Sequence, residues 1–221
     1  MVFQGHPARS VTLHVLRIKG VAQSDALAGP AGLKEDDLDE LLAELAVTGL
    51  VERRRGALPG WRPTALGVQH DDAWMTAELE AAGARPALEE AYGSFLALNS
   101  ELLRACTAWQ LRDADEGSLV PNDHGDASYD AGVVAHLAEI HRRAQPVLLE
   151  LESLLPRFRP YGLRLQRALD RVQAGDGDWF TRPLLDSYHQ VWFELHQDLL
   201  ITLGLERSTE DVPGRQSGSV K

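Results

Sequence analysis

The sequence predicts a mainly α-helical protein with one short β-hairpin in its first third. Two observations indicate this fold class. Apolar residues recur at helical spacing through most of the chain, and one strand–turn–strand pattern interrupts them near residues 50–62. From residue 71 onward we find no convincing strand. The 221 residues suffice for two small domains. We therefore expect one domain at 1–70, a second at 71–205, and a disordered tail at 206–221.

The net charge of −11 is unevenly distributed along the chain. Residues 1–70 hold equal numbers of basic and acidic side chains, so the whole excess of acids lies beyond residue 70. A protein that coats nucleic acid normally shows a basic domain. Diffuse, non-specific DNA binding is therefore disfavoured, whereas a local basic patch is compatible with this composition.

The sequence shows no sign of export or of redox chemistry. No segment approaches the roughly 18 apolar residues of a membrane span. The N-terminal residues lack the apolar core of a signal peptide, so we expect a cytoplasmic protein. The single cysteine, Cys106, excludes an internal disulfide and a multi-cysteine zinc site. It lies in an apolar helical stretch, where we expect a buried small hydrophobic residue rather than a redox sensor.

Three helices are predicted in the first 50 residues. Apolar residues at helical spacing indicate a first helix that ends near residue 20. The second begins at Ser24, a residue type favoured at N-caps, and we expect Pro30 to end it because proline lacks a backbone donor. The third runs from about Lys34 to Thr48. Its predicted buried stripe consists of Leu38, Leu41, Leu42 and Leu45.

A β-hairpin with three consecutive arginines follows the third helix. One strand begins at Leu50, the turn spans residues 56–60, and Trp61 begins the return strand. Successive side chains of a strand point to opposite faces, so one or two of the arginines at 53–55 can contact the same phosphate backbone. An equally good interpretation is an edge strand protected by solvated charges. Thr64 is expected to cap the next helix.

Small, apolar and basic residues of the first third follow one continuous pattern. Its segments are Asp25-Ala26-Leu27-Ala28, Gly32-Leu33, Gly49-Leu50-Val51, Arg53-Arg54-Arg55 and Thr64-Ala65-Leu66-Gly67. This pattern resembles the winged helix-turn-helix regulators of the MarR and PadR type, without gaps. The resemblance covers about the first third of the chain and implies an N-terminal winged helix-turn-helix with a small β-wing; the amphipathic pattern of the remainder predicts a C-terminal all-α helical bundle. The resemblance also implies a homodimeric, DNA-binding transcriptional regulator.

The third helix departs from what such regulators show. Its first turns would enter the major groove, where small polar and basic side chains meet bases and phosphates. Beside Lys34 those positions hold five acids: Glu35, Asp36, Asp37, Asp39 and Glu40. Acids are favourable at a helix N-terminus whether or not DNA is present, yet they repel a phosphate lattice.

Two functions follow from this departure. In the first, DNA contact is led by the wing, and the contacting residues are Lys34, Arg53, Arg54, Arg55 and Arg62. In the alternative, the chain is a protein-interaction module whose acidic third helix docks on a basic partner, without sequence-specific DNA binding.

The C-terminal domain is predicted to be a helical bundle that senses an effector, dimerises, or does both. Amphipathic patterns place helices at about 65–84, 87–112, 131–155, 157–174 and 183–203. The polar stretch 113–130 is a long connection, either mobile or a lid. By analogy with one-component regulators, a small-molecule pocket would be lined by Tyr92, Asn99, Trp109, His189 and Trp192. The alternative is an ordinary core with a hydrogen-bonded asparagine.

No metal, cofactor or catalytic site is predicted. His136 and His141 lie on different sides of one helix, and His189 and His196 are about 10.5 Å apart along another. The Asp-Ser-x-His stretch at 186–189 lacks the nucleophile elbow of a hydrolase. We therefore do not expect an enzyme.

One basic cluster lies in the acidic half of the chain. It consists of Arg157, Arg159, Arg164, Arg167 and Arg171. The last three share a helical face, which would bind an anionic ligand or DNA, or pair with neighbouring acidic helices. We favour pairing.

Overall fold

The computed structural model describes residues 7–113 and 118–205 of the chain. This part is mainly helical and contains two small antiparallel hairpins. The first third holds helices α1 (Pro7–Lys19), α2 (Ser24–Ala31) and α3 (Glu35–Val47), followed by strands β1 (Val51–Arg54) and β2 (Gly60–Pro63).

The remainder consists of six helices, a 3-10 turn and the second hairpin. After helices α4 (Ala65–Ala82) and α5 (Arg85–Gln110) come strands β3 (Leu111–Asp113) and β4 (Leu119–Pro121). Helix α6 (Ala127–Leu154), a 3-10 turn (Pro156–Phe158), α7 (Arg159–Gln173), α8 (Asp178–Thr181) and α9 (Tyr188–Leu203) follow.

A leucine core holds the first three helices against the β1–β2 hairpin. In the stripe predicted on α3, Leu38, Leu42 and Leu45 are buried, and Leu41 packs against them half-buried. The helical period of the sequence therefore identified the inner face of α3, which is independent of the charges on its outer face.

A backbone bridge ties the hairpin to the link between α1 and α2. Strand β1 pairs with β2 in a register that sets Arg53 opposite Trp61. The N–H of Ala22 donates to the carbonyl oxygen of Trp61 at 3.0 Å, and the N–H of Trp61 donates to the carbonyl oxygen of Ala22 at 2.7 Å. The hairpin thus has a third, one-residue partner on its β2 side.

The start of α4 packs closely on the hairpin entrance. Thr64 caps α4 as predicted, since its hydroxyl accepts a hydrogen bond from the N–H of Gly67 at 3.1 Å. A Cβ at Gly67 would lie 2.0 Å from the carbonyl oxygen of Leu50. Glycine at this position therefore allows the close approach of two backbone segments.

The predicted end of α2 is wrong. Pro30 lies inside the helix, which continues to Ala31 and ends at Gly32 in the left-handed conformation, with φ 68°. Because Pro30 sits in the last turn, its missing N–H removes a single hydrogen bond of the helix. Gly32 and Leu33 then donate to the last carbonyl oxygens and complete the C-cap.

The main core lies between α5, α6, α7 and α9. Buried side chains from these helices include Phe95, Leu137, Leu165 and Trp192. The long helices predicted for this half are confirmed with shifted ends, and the last one begins at Tyr188 under an N-cap from Ser187. No helix among the described residues combines the length and apolar character that a bilayer crossing requires.

The prediction of an all-helical second half without strands is wrong. β3 takes the last residues of the helix predicted at 87–112 and the first residue of the predicted connection 113–130; it pairs antiparallel with β4 inside that connection, with Leu111 opposite Pro121. Each strand has three residues, too few for an alternating pattern to emerge from the sequence. The four-residue helix α8 also escaped prediction. Residues 114–117 of the expected loop and the expected tail at 206–221 lie outside the described residues.

Helix α4 connects the two halves of the molecule. It runs through residue 70 and contacts α1 on one side and α9 on the other. Helix α1 also contacts α9 directly. The first helix of the chain is therefore packed against both its own helices and the bundle.

Candidate functional site

Three arginines project from the β1–β2 hairpin into solvent. Arg53, Arg54 and Arg55 are exposed, and none of them forms an ion pair with any residue of the described part of the chain. The guanidinium of Arg53 lies over the ring of Trp61, 5.6 Å from its centroid. The fourth predicted contact, Arg62, instead donates to Glu52 at 2.7 Å across the hairpin.

The unpaired state of these arginines is unusual for this protein. Most arginines in the described residues lie within ion-pair distance of a carboxylate. The exceptions are Arg53, Arg54, Arg55, Arg104 and Arg167. Three of the five are consecutive on one hairpin of an acidic protein, which makes the hairpin the local basic patch that the composition allows.

The N-terminal turns of α3 form an acidic surface beside the hairpin. All five predicted acids are exposed, and the N-cap is Lys34, also exposed, whose side chain caps nothing. Asp39 accepts a hydrogen bond from the hydroxyl of Ser24 at 2.5 Å, so Ser24 joins α2 to α3 and does not cap α2. The positive end of the α3 dipole favours the acids at this end of the helix.

Two of the five predicted ligand-contacting residues meet in the packed core. The indole N–H of Trp192 donates to the side-chain oxygen of Asn99 at 3.0 Å, and both side chains are buried. The Trp192 ring stacks on Phe95 at 4.6 Å between centroids. Asn99 is therefore hydrogen-bonded inside the core, as in the alternative considered from the sequence.

Of the other three candidates, Tyr92 lies near this pair, because its ring stacks on Phe95. Tyr92 contacts His196, its hydroxyl 3.2 Å from the ring nitrogen. Trp109 follows Tyr92 by 17 residues of the same helix, a rise of about 26 Å, and stacks on Phe180 at 4.8 Å. His189 is half-buried near the start of α9, where burial lowers its pKa. The five side chains do not surround one common space.

Four ionisable side chains, three of them buried and the fourth nearly so, meet where α1 contacts the bundle. We call them the α1 cluster: His14 of α1, Asp71 of α4, Arg157 of the 3-10 turn and Asp198 of α9. Nδ1 of His14 lies 3.1 Å from both oxygens of Asp71, and Nε2 lies 3.1 Å from Asp198. Arg157 donates to the same oxygen of Asp198. The cluster joins four elements of the chain that are far apart in sequence.

Further donors complete the shell of the α1 cluster. The hydroxyl of Tyr161 donates to Asp198 at 2.9 Å, and Arg17 donates to Asp71 at 2.9 Å. Arg157 also donates to Glu78 at 2.6 Å. The two buried carboxylates thus face cations or hydroxyl donors on every side.

The pKa shifts of the cluster follow from these contacts. Burial opposes the charge on His14, but the charge of Asp198 and the hydrogen bonds to Asp198 and Asp71 outweigh it and raise the pKa of His14. Burial likewise favours a protonated Asp198, but the charges of Arg157 and His14 hold its pKa far below the usual value. The contacts within the cluster therefore favour the charged forms of both residues.

A second ion-pair group extends the contact along α1. Lys19 donates to the buried Glu194 of α9 at 2.7 Å, and Arg164 of α7 donates to the other oxygen of Glu194 at 2.7 Å. Arg164 also makes a two-pronged contact with Asp186, at 2.9 and 2.7 Å. The middle of α1 and its C-terminal end are therefore both held to the bundle by charge.

Four of the five arginines in the basic cluster predicted around α7 form ion pairs, as favoured from the sequence. Besides Arg157 and Arg164, Arg159 lies 3.5 Å from Glu152 and Arg171 lies 2.7 Å from Asp176. The remaining member, Arg167, lies over the ring of Trp179 at 5.3 Å. Pairing leaves little of this face for an anionic ligand.

Sequence reasoning missed the α1 cluster, although a signal for it exists. His14 lies between the buried Leu13 and Leu16 on α1. Asp198 lies beside the apolar stripe of α9 that contains Leu195 and Leu199. A charged residue at a buried helical position requires a buried partner. The sequence does not indicate which partner, because Asp198 lies 184 residues from His14.

Two other residues that were considered from the sequence, Ser187 and Cys106, have structural roles. Ser187 caps α9, and its hydroxyl donates to the carbonyl oxygen of Arg182 at 2.9 Å. Cys106 is buried, and burial raises the pKa of its thiol to about 12. Among the described residues no group of three or more histidine, cysteine, aspartate or glutamate side chains is arranged to hold a metal ion.

A small recess opens beside the α1 cluster. His14, Trp74, Tyr161 and Asp198 contribute to its walls, and its volume is about 50 Å³. Such a space holds one or a few water molecules and not a drug-sized effector.

Comparison with protein family models, with curated proteins and with solved structures finds no match to this chain.

Proposed function

We propose that this protein is a DNA-binding transcriptional regulator whose contact with DNA is led by the β1–β2 hairpin. The order of helix, backbone bridge, two helices and hairpin supports a winged helix-turn-helix in the first third. In this assignment, the bridge at Ala22 and Trp61 is the short third strand of the wing, and α3 is the recognition helix.

The observation that carries the proposal is the set of unpaired arginines at 53–55. An acidic protein that pairs most of its arginines leaves three exposed and adjacent on one hairpin. A guanidinium without a carboxylate partner is free to make two-pronged contacts with a phosphate. Phosphate contacts position a protein on the duplex and supply much of its affinity.

The acids of α3 set the binding mode. A helix that begins with Glu35, Asp36 and Asp37 repels phosphates if it lies deep in the major groove. The wing therefore leads the contact, with Lys34 at the helix end and Arg62 at the base of the hairpin as further contacts. One acid facing the groove has the chemistry to accept a hydrogen bond from a cytosine amino group.

The helical domain is assigned to effector sensing, dimerisation or both, in a cytoplasmic homodimer. Its core is filled around Asn99 and Trp192. A small molecule that uses these residues would have to open the contact between α5 and α9, so sensing through this region requires a rearrangement of the bundle.

A salt titration of DNA binding tests the proposal. The full chain is titrated with DNA from upstream of its own gene, and the same is done for Arg53→Ala/Arg55→Ala. Each lost phosphate contact reduces the slope of log K against log salt by about 0.9, so the double variant should lose one to two units of slope. Arg167→Ala is the matched control, because Arg167 is also an exposed arginine without a carboxylate partner. Absence of sequence-specific binding at low salt, or equal slopes for wild type and the double variant, would contradict the proposal.

The second candidate function is docking of the acidic surface of α3 on a basic protein partner. The exposure of all five acids favours it. A pull-down with Asp36→Lys/Asp37→Lys/Glu40→Lys discriminates the two functions. Loss of a partner with unchanged DNA behaviour supports docking, and retention of every partner contradicts it.

A further inference from the structure

We propose that the α1 cluster is a proton-controlled latch: protonated His14 holds α1 against the bundle, and loss of that proton releases α1. This device does not depend on DNA binding. It is argued from the geometry of one histidine between two buried carboxylates.

The first step is the protonation state that the geometry demands. Both ring nitrogens of His14 face carboxylate oxygens at 3.1 Å, those of Asp71 on one side and of Asp198 on the other. A neutral imidazole has a single N–H, so it can donate to only one of the two. The other nitrogen would then point its lone pair at a carboxylate oxygen. Only the imidazolium can donate to both carboxylates at once.

The second step is the balance of charge around His14. The carboxylates that face His14 directly are Asp71 of α4 and Asp198 of α9. Two more lie farther away: Glu78 of α4, which binds Arg157, and Glu194 of α9, which binds Lys19. The cations near His14 are Arg17 and Lys19 of its own helix, Arg157 of the 3-10 turn and Arg164 of α7, and the hydroxyl of Tyr161 bonds Asp198. Arg157 lies 3.2 Å from Nε2 of His14 and opposes its charge, but Asp198 between them outweighs this.

The third step is the direction of the pH effect. The pKa of His14 is raised in the folded protein, so the protonated form binds the bundle more strongly than the neutral form does. The stabilisation is complete below the ordinary histidine value of about 6.5. It is lost as the pH rises through the folded-state pKa. A buried carboxylate is then left without one of its donors, and its desolvation is no longer compensated.

The fourth step is the element that would move. Helix α1 contacts α2 and β2 within the first third and α4 and α9 outside it. Release of α1 from α9 therefore changes how the first third is attached to the bundle. At alkaline pH, α1 should open more often than helices of the bundle interior, such as α6.

Nuclear magnetic resonance of the full-length wild-type protein is the first test. The ring nitrogen shifts of His14 are followed from pH 5 to pH 10 in protein labelled at histidine. We expect both nitrogens to carry protons at pH 7, and a midpoint clearly above 6.5. A single-proton tautomer at pH 6.5 or below would overturn the proposal, and this measurement needs no variant.

Hydrogen exchange of α1 is the second test. Protection factors of α1 amides should fall from pH 6 to pH 9, about tenfold for each unit by which the His14 pKa exceeds 6.5. His14→Gln should show weaker protection at pH 6 and no such fall. His136→Gln is the matched control, because His136 is an exposed histidine on α6, and it should behave as wild type. Equal pH dependence of α1 protection in wild type and His14→Gln would refute the latch.

Discussion

Replacing Asp198 with alanine tests whether the α1 cluster is a buried ion-pair network that stabilises the fold. The Asp198 side chain is 3% exposed and accepts hydrogen bonds from His14, Arg157 and Tyr161. In Asp198→Ala the guanidinium of Arg157, whose side chain is 11% exposed, keeps Glu78 as its one carboxylate partner, and the imidazolium keeps Asp71. Removal of one member of a buried pair costs about 3–5 kcal/mol of unfolding free energy, because the remaining charge stays desolvated. We expect a loss in that range.

Urea unfolding at pH 7, followed by far-ultraviolet circular dichroism, measures the loss. Arg142→Ala is the matched control, because Arg142 and Glu139 form an ion pair with side chains 72% and 47% exposed. A pair that is exposed to solvent in this way contributes little to stability. If Asp198→Ala costs no more than Arg142→Ala, the carboxylate is hydrated or its partners rearrange freely, and the reasoning is refuted.

A double-mutant cycle separates the network from simple packing. Arg157→Met alone should also be strongly destabilising, because it leaves Asp198 buried with fewer cations. Arg157→Met combined with Asp198→Ala should cost less than the two single changes together, by about 1.5 kcal/mol or more. Additive costs would indicate that the two side chains do not interact.

The stability of the protein at low pH gives a further measurement. The pKa of Asp198 is lowered in the folded protein, so the stabilisation that its charged form provides is present above about pH 3.8 and is lost as the pH falls further. The alanine variant should lack this part of the acid unfolding curve.

Two further substitutions test the packing that surrounds the candidate sites. Gly67→Ala should lower the free energy of unfolding in urea by about 1–3 kcal/mol or more, because its Cβ would lie 2.0 Å from the carbonyl oxygen of Leu50. Gly93→Ala is the control: a Cβ there meets nothing within 4 Å, so this change should raise the free energy of unfolding by about 0.5–1 kcal/mol. A cost for Gly67→Ala no greater than for Gly93→Ala would show that the hairpin is not docked as described. Trp192→Phe should cost about 1 kcal/mol or more, because the side-chain oxygen of Asn99 loses its indole donor inside the core. No loss would indicate that Asn99 finds water, as in an open pocket.

The local structure of the first third could be predicted because its signals are local. The leucine spacing on α3 reports the buried face of a helix directly, and Thr64 is a helix cap that depends on residues three positions away. Pro30 misled the prediction because a proline in the last turn of a helix removes only one hydrogen bond, which the cap at Gly32 outweighs. The β3–β4 hairpin escaped because three-residue strands carry too little periodicity.

The sequence predicted candidate site residues correctly only where the prediction concerned exposed side chains. Arginines 53–55 stand out in sequence as a run on a predicted strand, and the structure leaves them exposed. Only the folded structure shows that these arginines are unpaired, because Arg62 on the neighbouring strand looks equivalent in sequence yet pairs with Glu52. The predicted lining residues share helical faces, but one face extends over the whole length of a helix. Residues on the same face can therefore be far apart, as Tyr92 and Trp109 are, about 26 Å along α5.

The sequence by itself determined the helical architecture, the hairpin with its three arginines and the acidic start of α3. Periodicity, helix caps and runs of charge are properties of residues that are near in sequence, so they can be recognised from a single sequence. Only the tertiary structure decided that His14, Asp71, Arg157 and Asp198 meet. The free energy of a buried charge depends on partners within a few ångströms, and these partners lie as many as 184 residues apart in the chain. The attachment of α1 to the bundle is therefore a property of the folded molecule alone.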